Sequence, residues 1–121
     1  MNETMASYRP LGDWERRIIV RLLSAVPFPG RDDLLSQVET ASALTIDDDG
    51  SVSLKPSLAR KAAVATRIPV EGEAQDTDGV TIHYLLHVVD GAINELEVYK
   101  DDSSRVRRQA QPEGLTVMNA G

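Results

Sequence analysis

Apolar and polar positions alternate along residues 67–102 in a way that predicts three antiparallel strands. Two Asp-Gly pairs, Asp78-Gly79 and Asp90-Gly91, divide this segment into three alternating runs. An Asp-Gly pair between such runs is a strong hairpin signal, because a type I′ turn needs positive φ at both central residues. We predict a meander with strands at 64–75, 80–89 and 92–100.

Upstream of the meander, the spacing of apolar residues predicts one long helix and a further hairpin. From Asp13 to Val26 the apolar side chains fall on one arc at the helical period, Asp13 is a suitable N-cap, and Pro27 stops the helix. Residues 31–38 predict a short helix. Residues 40–54 alternate around a DDDG turn, which predicts the first hairpin of the sheet.

These elements together predict a single α+β domain over residues 10–102. We expect an antiparallel sheet of about five strands, a meander, with one long N-terminal helix packed on one face. Residues 1–9 are expected to be flexible, and residues 55–63 to form a connection. Residues 103–121 form a polar tail, which is either disordered or ends in a docked final strand around the apolar cluster at 115–118.

The register across the second Asp-Gly turn sorts the side chains of the meander onto two faces. With Val89 opposite Ala92 and strict alternation, Tyr84 opposes Glu97 and Ile82 opposes Tyr99. The turn around Asp78-Gly79 assigns the β4 side chains to the same faces whether it has two central residues or four. One face then collects four carboxylates and two tyrosines: Glu71, Glu73, Tyr84, Glu95, Glu97 and Tyr99.

The opposite face of this predicted meander carries both histidines of the chain, His83 and His87. Burying four unpaired carboxylates would cost on the order of several kcal/mol each. We therefore expect the histidine face to pack under the helix, and the acidic face to meet water or a partner.

Composition and charge limit the classes of function. The chain has 121 residues, of which 41% are apolar and 26% are charged, as expected of one soluble domain. The absence of cysteine excludes disulfides, thiolate metal sites and cysteine nucleophiles. A net charge of -6 repels a phosphate backbone, so we expect no nucleic-acid partner. The chain shows neither a signal-peptide pattern nor an apolar run of about 18 residues, and we expect a cytoplasmic protein without membrane contact.

The two histidines are the first candidates for chemistry. A spacing of four residues on a strand separates them by about 13 Å, so they cannot bind one metal ion together. In the predicted register they also lie on the face opposite Glu95 and Glu97, which argues against a pair between a histidine and a carboxylate. We therefore predict structural histidines, with no catalytic residue, no metal site and no cofactor.

The acidic face is the better candidate for function, and three interpretations compete. It is an ordinary solvated face, a surface that attracts a basic protein, or a metal or acid-base site that requires two carboxylates to converge in a concavity. We expect a small non-enzymatic interaction module, monomeric or dimeric, that binds a basic protein partner through the six residues of this face. The alternatives are a structural homodimer, and a small enzyme or ligand-binding domain that uses Glu95 and Glu97 or His83 and His87.

Three motifs of the chain resemble a known family. They are RPL at 9–11 followed by an acid and a helix, RIPVE at 67–71, and DGVTIHYLLHVVDGAINELEVY at 78–99. Together they resemble a family of small uncharacterised bacterial proteins, a domain of unknown function, over residues 9–104. Such sequences often have DG-S after the last strand, where this chain has Asp102-Ser103-Ser104. The resemblance implies an α+β domain and no established activity. A similar strand ending occurs in some bacterial immunity proteins, so an immunity or antitoxin role is one form of the interaction hypothesis.

Overall fold

The computed structural model describes residues 7–57 and 60–120. Within them the chain forms two α-helices, α1 at Asp13–Ala25 and α2 at Arg31–Val38. It also forms seven strands: β1 Arg9–Pro10, β2 Ala41–Thr45, β3 Val52–Pro56, β4 Val70–Gln75, β5 Thr81–Val89, β6 Ala92–Lys100 and β7 Thr116–Asn119. Residues 1–6 of the predicted flexible N-terminus and residues 58–59 of the predicted connection lie outside the described residues.

All seven described strands pair antiparallel in one sheet, in the order β1-β2-β3-β6-β5-β4-β7. The predicted fold class is wrong, since it had about five strands and one long helix. The two helices are short, with 13 and 8 residues. The additional strands β1 and β7 have two and four residues and exist only by pairing with β2 and β4. Such short segments show no alternation that the sequence could reveal.

Helix α1 forms where its apolar arc was predicted and lies over β4. Its N-cap is Gly12, one residue before the predicted cap, and the Gly12 N–H donates to the Glu15 carboxylate at 2.8 Å. Pro27 follows the helix closely, as predicted. A Cβ built on Gly72 of β4 would lie 2.9 Å from Leu22 Cδ2, so the helix approaches the strand closely at this glycine.

Both helices pack on the same side of the sheet and enclose one core. The side chains that the meander contributes to this core are apolar, apart from the Tyr84 hydroxyl: Val70, Ile82, Tyr84, Leu86, Val88, Ile93, Leu96 and Val98. Helix α2 is fixed to the β5–β6 turn by Gln37, whose amide donates to Gly91 O at 2.8 Å and accepts from Ile93 N at 2.9 Å. Neither described helix covers the other side of β4, β5 and β6.

The hairpin of β5 and β6 begins as predicted and then changes register. Asp90 and Gly91 have φ values of 51° and 75°, and Val89 faces Ala92. One pair later, β6 contains an extra residue: Val88 faces Ile93, whereas His87 faces Glu95. Asn94 is thus a β-bulge, which inverts the parity of all following pairs.

The faces of the meander therefore differ from the predicted ones. Tyr84 faces Val98 and Ile82 faces Lys100, and the predicted pairs with Glu97 and Tyr99 are wrong. The β4–β5 connection adds a second correction, because five residues, 76–80, separate Gln75 from its partner Thr81. A connection of five residues places each β5 side chain on the face opposite to the one that a turn of two or four residues would give. Both histidines consequently share the side of the carboxylates, and Tyr84 lies on the side of the helices.

Residues 103–111, called the strap below, cross one end of the sheet and close the core. The Tyr84 hydroxyl donates to Gln109 Oε1 at 2.9 Å and accepts from Ala110 N at 3.0 Å. Ala110 O accepts from the indole of Trp14 at 2.8 Å. After the strap, β7 pairs with β4, so the tail contains the docked final strand that was one of its two expected forms.

A buried ion cluster fastens the strap to the sheet. The Lys100 ammonium lies 2.9 Å from Asp76 Oδ2 and 2.6 Å from Asp78 Oδ2, and it is buried together with Asp76. Asp76 also accepts the backbone N–H groups of Arg107 at 2.7 Å and Arg108 at 3.0 Å. Burial would raise the pKa of Asp76, but the hydrogen bonds from Arg107 and Lys100 outweigh it and hold that pKa well below its ordinary value.

Neither described helix is long and apolar enough to cross the hydrocarbon core of a bilayer.

Candidate functional site: the open face

The side of β4, β5 and β6 that points away from the helices carries almost all candidate functional groups. We call it the open face, and it comprises Glu71, Glu73, His83, Leu85, His87, Glu95, Glu97, Tyr99 and the residue after β6, Asp101. Cross-strand pairing arranges the strand residues in three rows: Glu73, His83 and Tyr99, then Glu71, Leu85 and Glu97, then His87 and Glu95. Each histidine is thus surrounded by carboxylates.

Five of the six predicted partner-binding residues lie on the open face. They are Glu71, Glu73, Glu95, Glu97 and Tyr99. Tyr84, the sixth, is completely buried on the helix side and uses its hydroxyl to hold the strap. Its placement on the acidic face was wrong.

His83 lies at the centre of the first row and is oriented by its neighbours. Its Nε2 is 2.5 Å from Asp101 Oδ1, so the carboxylate accepts the Nε2 proton. The ring of Tyr99 stacks on the imidazole with 4.9 Å between ring centroids. The other ring nitrogen, Nδ1, is buried and makes no hydrogen bond to a described residue. It lies 3.9 Å from Glu73 Oε2.

His87 lies in the third row, and both of its ring nitrogens are occupied. The Arg67 guanidinium donates through Nε to His87 Nδ1 at 2.9 Å. Because arginine has no acceptor, Nδ1 must accept and the ring proton resides on Nε2. Nε2 then donates to Glu97 Oε1 at 2.8 Å. The predicted register excluded this contact between a histidine and a carboxylate, and the Asn94 bulge is the reason that it forms.

Two groups of potential metal ligands result from this arrangement. In one, a ligand atom from each of Glu71, Glu73 and His83 lies within 4.8 Å of the others. In the second, His87, Glu95 and Glu97 satisfy the same limit. Imidazole nitrogen with carboxylate oxygen is a donor set that divalent transition metals accept.

The charge of the open face is concentrated near the phenol of Tyr99, which is 40% exposed. Its partial burial raises the pKa of Tyr99, and the carboxylates of Glu97 and Glu71 raise it further. These carboxylates form no ion pair with a lysine or arginine of residues 7–57 and 60–120. By contrast, most other acidic side chains that form ion pairs meet an arginine, such as Glu15 with Arg9 at 2.8 Å.

A shallow depression of about 360 Å³ extends the acidic character towards the β2–β3 turn. Asp47 and Asp49 of that turn line it together with Glu95, Glu97 and Tyr99. Each of the two aspartates already accepts hydrogen bonds within the protein. Asp47 accepts backbone N–H groups of its own turn, and Asp49 accepts the N–H of Val106 in the strap. The depression is therefore a negatively charged margin of the open face.

The sequence profile of a domain of unknown function, DUF6984, matches residues 8–110. The chain belongs to the DUF6984 family. The match includes the whole open face and most of the strap, and it confirms the resemblance to a family of unknown function. Neither a curated protein nor a solved structure matches the chain.

Two contributors to the open face of this DUF6984 domain were missed in the sequence. Asp101 lies two residues after Tyr99, so continued alternation beyond the predicted strand end would have placed it on the same face. Arg67 precedes β4 in an irregular segment, and no local pattern signals its contact with His87. Its position depends on the hydrogen bond from Val88 N to its carbonyl oxygen, which is 2.6 Å long.

Proposed function

We propose that this DUF6984 domain is a non-enzymatic interaction module whose open face binds a basic segment of a partner protein. The observation that carries the proposal is the gathering of five carboxylates on the open face, those of Glu71, Glu73, Glu95, Glu97 and Asp101. Partial burial raises the pKa of Tyr99, and all of these carboxylates except that of Glu95 raise it further. The proposal includes a bacterial, cytoplasmic setting and a partner of the toxin type, as motivated by the sequence.

The charge of the open face supports a partner of opposite charge. The five carboxylates form no ion pair with an arginine or lysine of the described residues, and they outnumber the nearby Arg67 guanidinium, which donates to His87. A partner segment with several lysines or arginines would be attracted over about a Debye length, roughly 8 Å in physiological salt. Tyr99 provides an aromatic contact of the kind that is enriched in interface centres.

The same face argues against the two alternative functions. A general base needs a free lone pair that a substrate can reach. Both nitrogens of His87 are engaged, by Arg67 and by Glu97, and the free Nδ1 of His83 is buried. A homodimer joined face to face would place the carboxylates of one copy against those of the other, and juxtaposed like charges cost several kcal/mol. A basic partner meets neither objection.

The test uses charge reversal with a matched control. The variant E71K/E95K/E97K reverses three charges on the open face, and the control D32K/E39K/E113K makes the same change at exposed carboxylates elsewhere. Partners captured by the wild-type chain are purified, and their affinities for the three proteins are measured at two salt concentrations.

The proposal requires a partner whose binding weakens by tenfold or more, about 1.4 kcal/mol, in the open-face variant and is retained by the control. The affinity should also fall with added salt. If every purified partner binds the open-face variant and the control equally well, the proposal is wrong.

A further inference from the structure

We propose that Glu71, Glu73 and His83 form a binding site for a divalent transition-metal ion of the Zn²⁺ type. Asp101 orients the histidine from behind. This inference goes beyond the interaction function, because it assigns a small cationic ligand to one end of the open face. It requires no protein partner.

Strand pairing brings the three side chains together. Glu73 and His83 are directly opposed on β4 and β5, and Glu71 is two residues from Glu73 on the same face of β4. Their ligand atoms lie within 4.8 Å of one another. In a tetrahedral zinc site the ligand atoms are about 3.3 Å apart, given bonds of about 2.0 to 2.2 Å. Both glutamate side chains are partly exposed and accept no hydrogen bond from a described residue, so small rotations can close the difference.

The orientation of His83 points to a cation at Nδ1. Metal-binding histidines usually donate their second ring N–H to a carboxylate, which fixes the tautomer and the ring plane. Asp101 accepts from Nε2 in this way, and Tyr99 holds the ring by stacking. The Nδ1 lone pair is then buried without a hydrogen bond, 3.9 Å from Glu73 Oε2. That separation is too long for a hydrogen bond, and a small rotation of Glu73 would bring it to the spacing of two ligands of one ion.

A buried lone pair that faces carboxylates is unfavourable unless positive charge lies between them. A metal ion bound between Nδ1 and the carboxylates would supply that charge.

The second ligand group serves as a control within the same molecule. His87, Glu95 and Glu97 have the same chemistry and similar spacing. However, Arg67 occupies Nδ1 of His87 and Glu97 occupies Nε2, so neither nitrogen presents a free lone pair. The proposal therefore assigns the ion to the His83 group and not to the His87 group.

The donor set selects the class of metal. An imidazole nitrogen with carboxylate oxygens suits Zn²⁺, Co²⁺ and related ions, whereas Mg²⁺ and Ca²⁺ prefer oxygen ligands only. Three protein ligands plus water is a common arrangement for zinc with an open coordination position. Tight binding of Mg²⁺ or Ca²⁺ would indicate only a general attraction of cations to carboxylates.

The experiment is calorimetric titration of the untagged full chain with ZnCl₂ after removal of metals, at about pH 7. Co²⁺ is added in parallel, because its visible absorption reports nitrogen and oxygen coordination. The variants are H83Q and E73Q at the proposed site, D101N behind the ring, and H87Q as the matched control. Circular dichroism checks that each variant is folded.

The expected result is binding of one Zn²⁺ per chain, with affinity reduced at least a hundredfold in H83Q and E73Q. D101N should weaken binding about tenfold or more. H87Q should bind within about twofold of the wild type, and a hundredfold excess of Mg²⁺ or Ca²⁺ should not displace Zn²⁺. Absence of wild-type binding, equal losses in H83Q and H87Q, or displacement by Mg²⁺ would each overturn the assignment.

The outcome is separable from the test of partner binding. H83Q removes the proposed metal ligand but leaves all five carboxylates of the open face in place. A chain that loses Zn²⁺ and keeps its basic partner therefore supports both proposals. A wild-type chain that binds no Zn²⁺ overturns only the metal site.

Discussion

Gly91 is required both by its left-handed backbone conformation and by the close packing of another segment against it. Its φ of 75° lies in the left-handed region. A Cβ at this position would also lie 2.8 Å from Ala62 O and 3.0 Å from Ala62 N, whose N–H donates to Gly91 O. The Asp-Gly pair revealed the φ requirement in the sequence. It could not reveal the approach of the segment around residue 62, which comes from a distant part of the chain.

Gly79 offers a matched comparison, since its φ is 82° and an added Cβ meets nothing within 4 Å. We expect G79A to lose about 1 to 2 kcal/mol of unfolding free energy from backbone strain alone. G91A should lose about 1 to 3 kcal/mol more, because backbone atoms must move. Urea denaturation of both variants checks this, and equal losses would contradict the packing role.

The hydrogen-bond partners of His87 were not predicted from the sequence. The contact of His87 with Glu97 joins residues whose predicted faces differed. The Arg67 contact comes from irregular backbone. Both depend on register, and register is a property of paired strands rather than of either residue.

At the scale of the elements, the Asn94 bulge decides which side chains meet. The sequence contained a sign of it: Ile93, Leu96 and Val98 are all apolar, yet the first two are three positions apart. An unbroken strand cannot direct both to one face, whereas a strand with one extra residue can. The β5–β6 turn, the helices and the β2–β3 hairpin were predictable because their signals are local. The length of the β4–β5 turn, the position of the bulge and the short edge strands were not, because they depend on the partner strand.

Removing the bulge residue should be tolerated, since without Asn94 the β6 side chains alternate correctly. We expect deletion of Asn94 to lower the unfolding free energy by no more than about 2 kcal/mol, from changed local twist. Inserting one alanine after Leu96 should instead turn Glu97 towards the core and cost more than about 4 kcal/mol.

Thermal and urea unfolding of the two variants would distinguish these effects. An unfolded deletion variant, or an insertion variant as stable as the wild type, would show that the bulge does not set the faces in this way.

At the scale of the whole molecule, the strap joins three distant parts of the chain. It connects Trp14 of α1, Tyr84 of β5 and the Lys100 cluster at the end of β6. The sequence predicted only a polar tail for the strap. The hydrogen bonds that order the strap mostly use its backbone atoms, and these leave no trace in the sequence. Composition carries no information about backbone partners.

The buried cluster should make global stability depend on pH in the acid range. The pKa of Asp76 in the folded protein is held below the ordinary Asp value of about 3.9. Its contribution is therefore complete above that value and is lost as the pH falls towards the lowered one. We expect the unfolding free energy of the wild type to decrease steeply below about pH 4.

The variant D76N removes the titrating group. It should be less stable than the wild type at pH 7, because Lys100 loses one of its two carboxylate partners. Its stability should also decline less between about pH 4 and pH 2, and the remaining decline comes from other carboxylates whose pKa is lowered, those of Asp78, Asp102 and Glu15. Urea titrations across this range provide the measurement, and parallel curves for the two proteins would disprove the assignment.

Lys100 also has a chemical consequence, since the chain contains only three lysines. Lys55 and Lys61 are exposed, whereas the Lys100 amine is enclosed between two aspartates and the strap. An acylating reagent should therefore modify the first two quickly and reach the third only when the strap lifts. The rate at which Lys100 is acylated should therefore report the rate at which the strap opens. Mass spectrometry can measure it without any introduced probe.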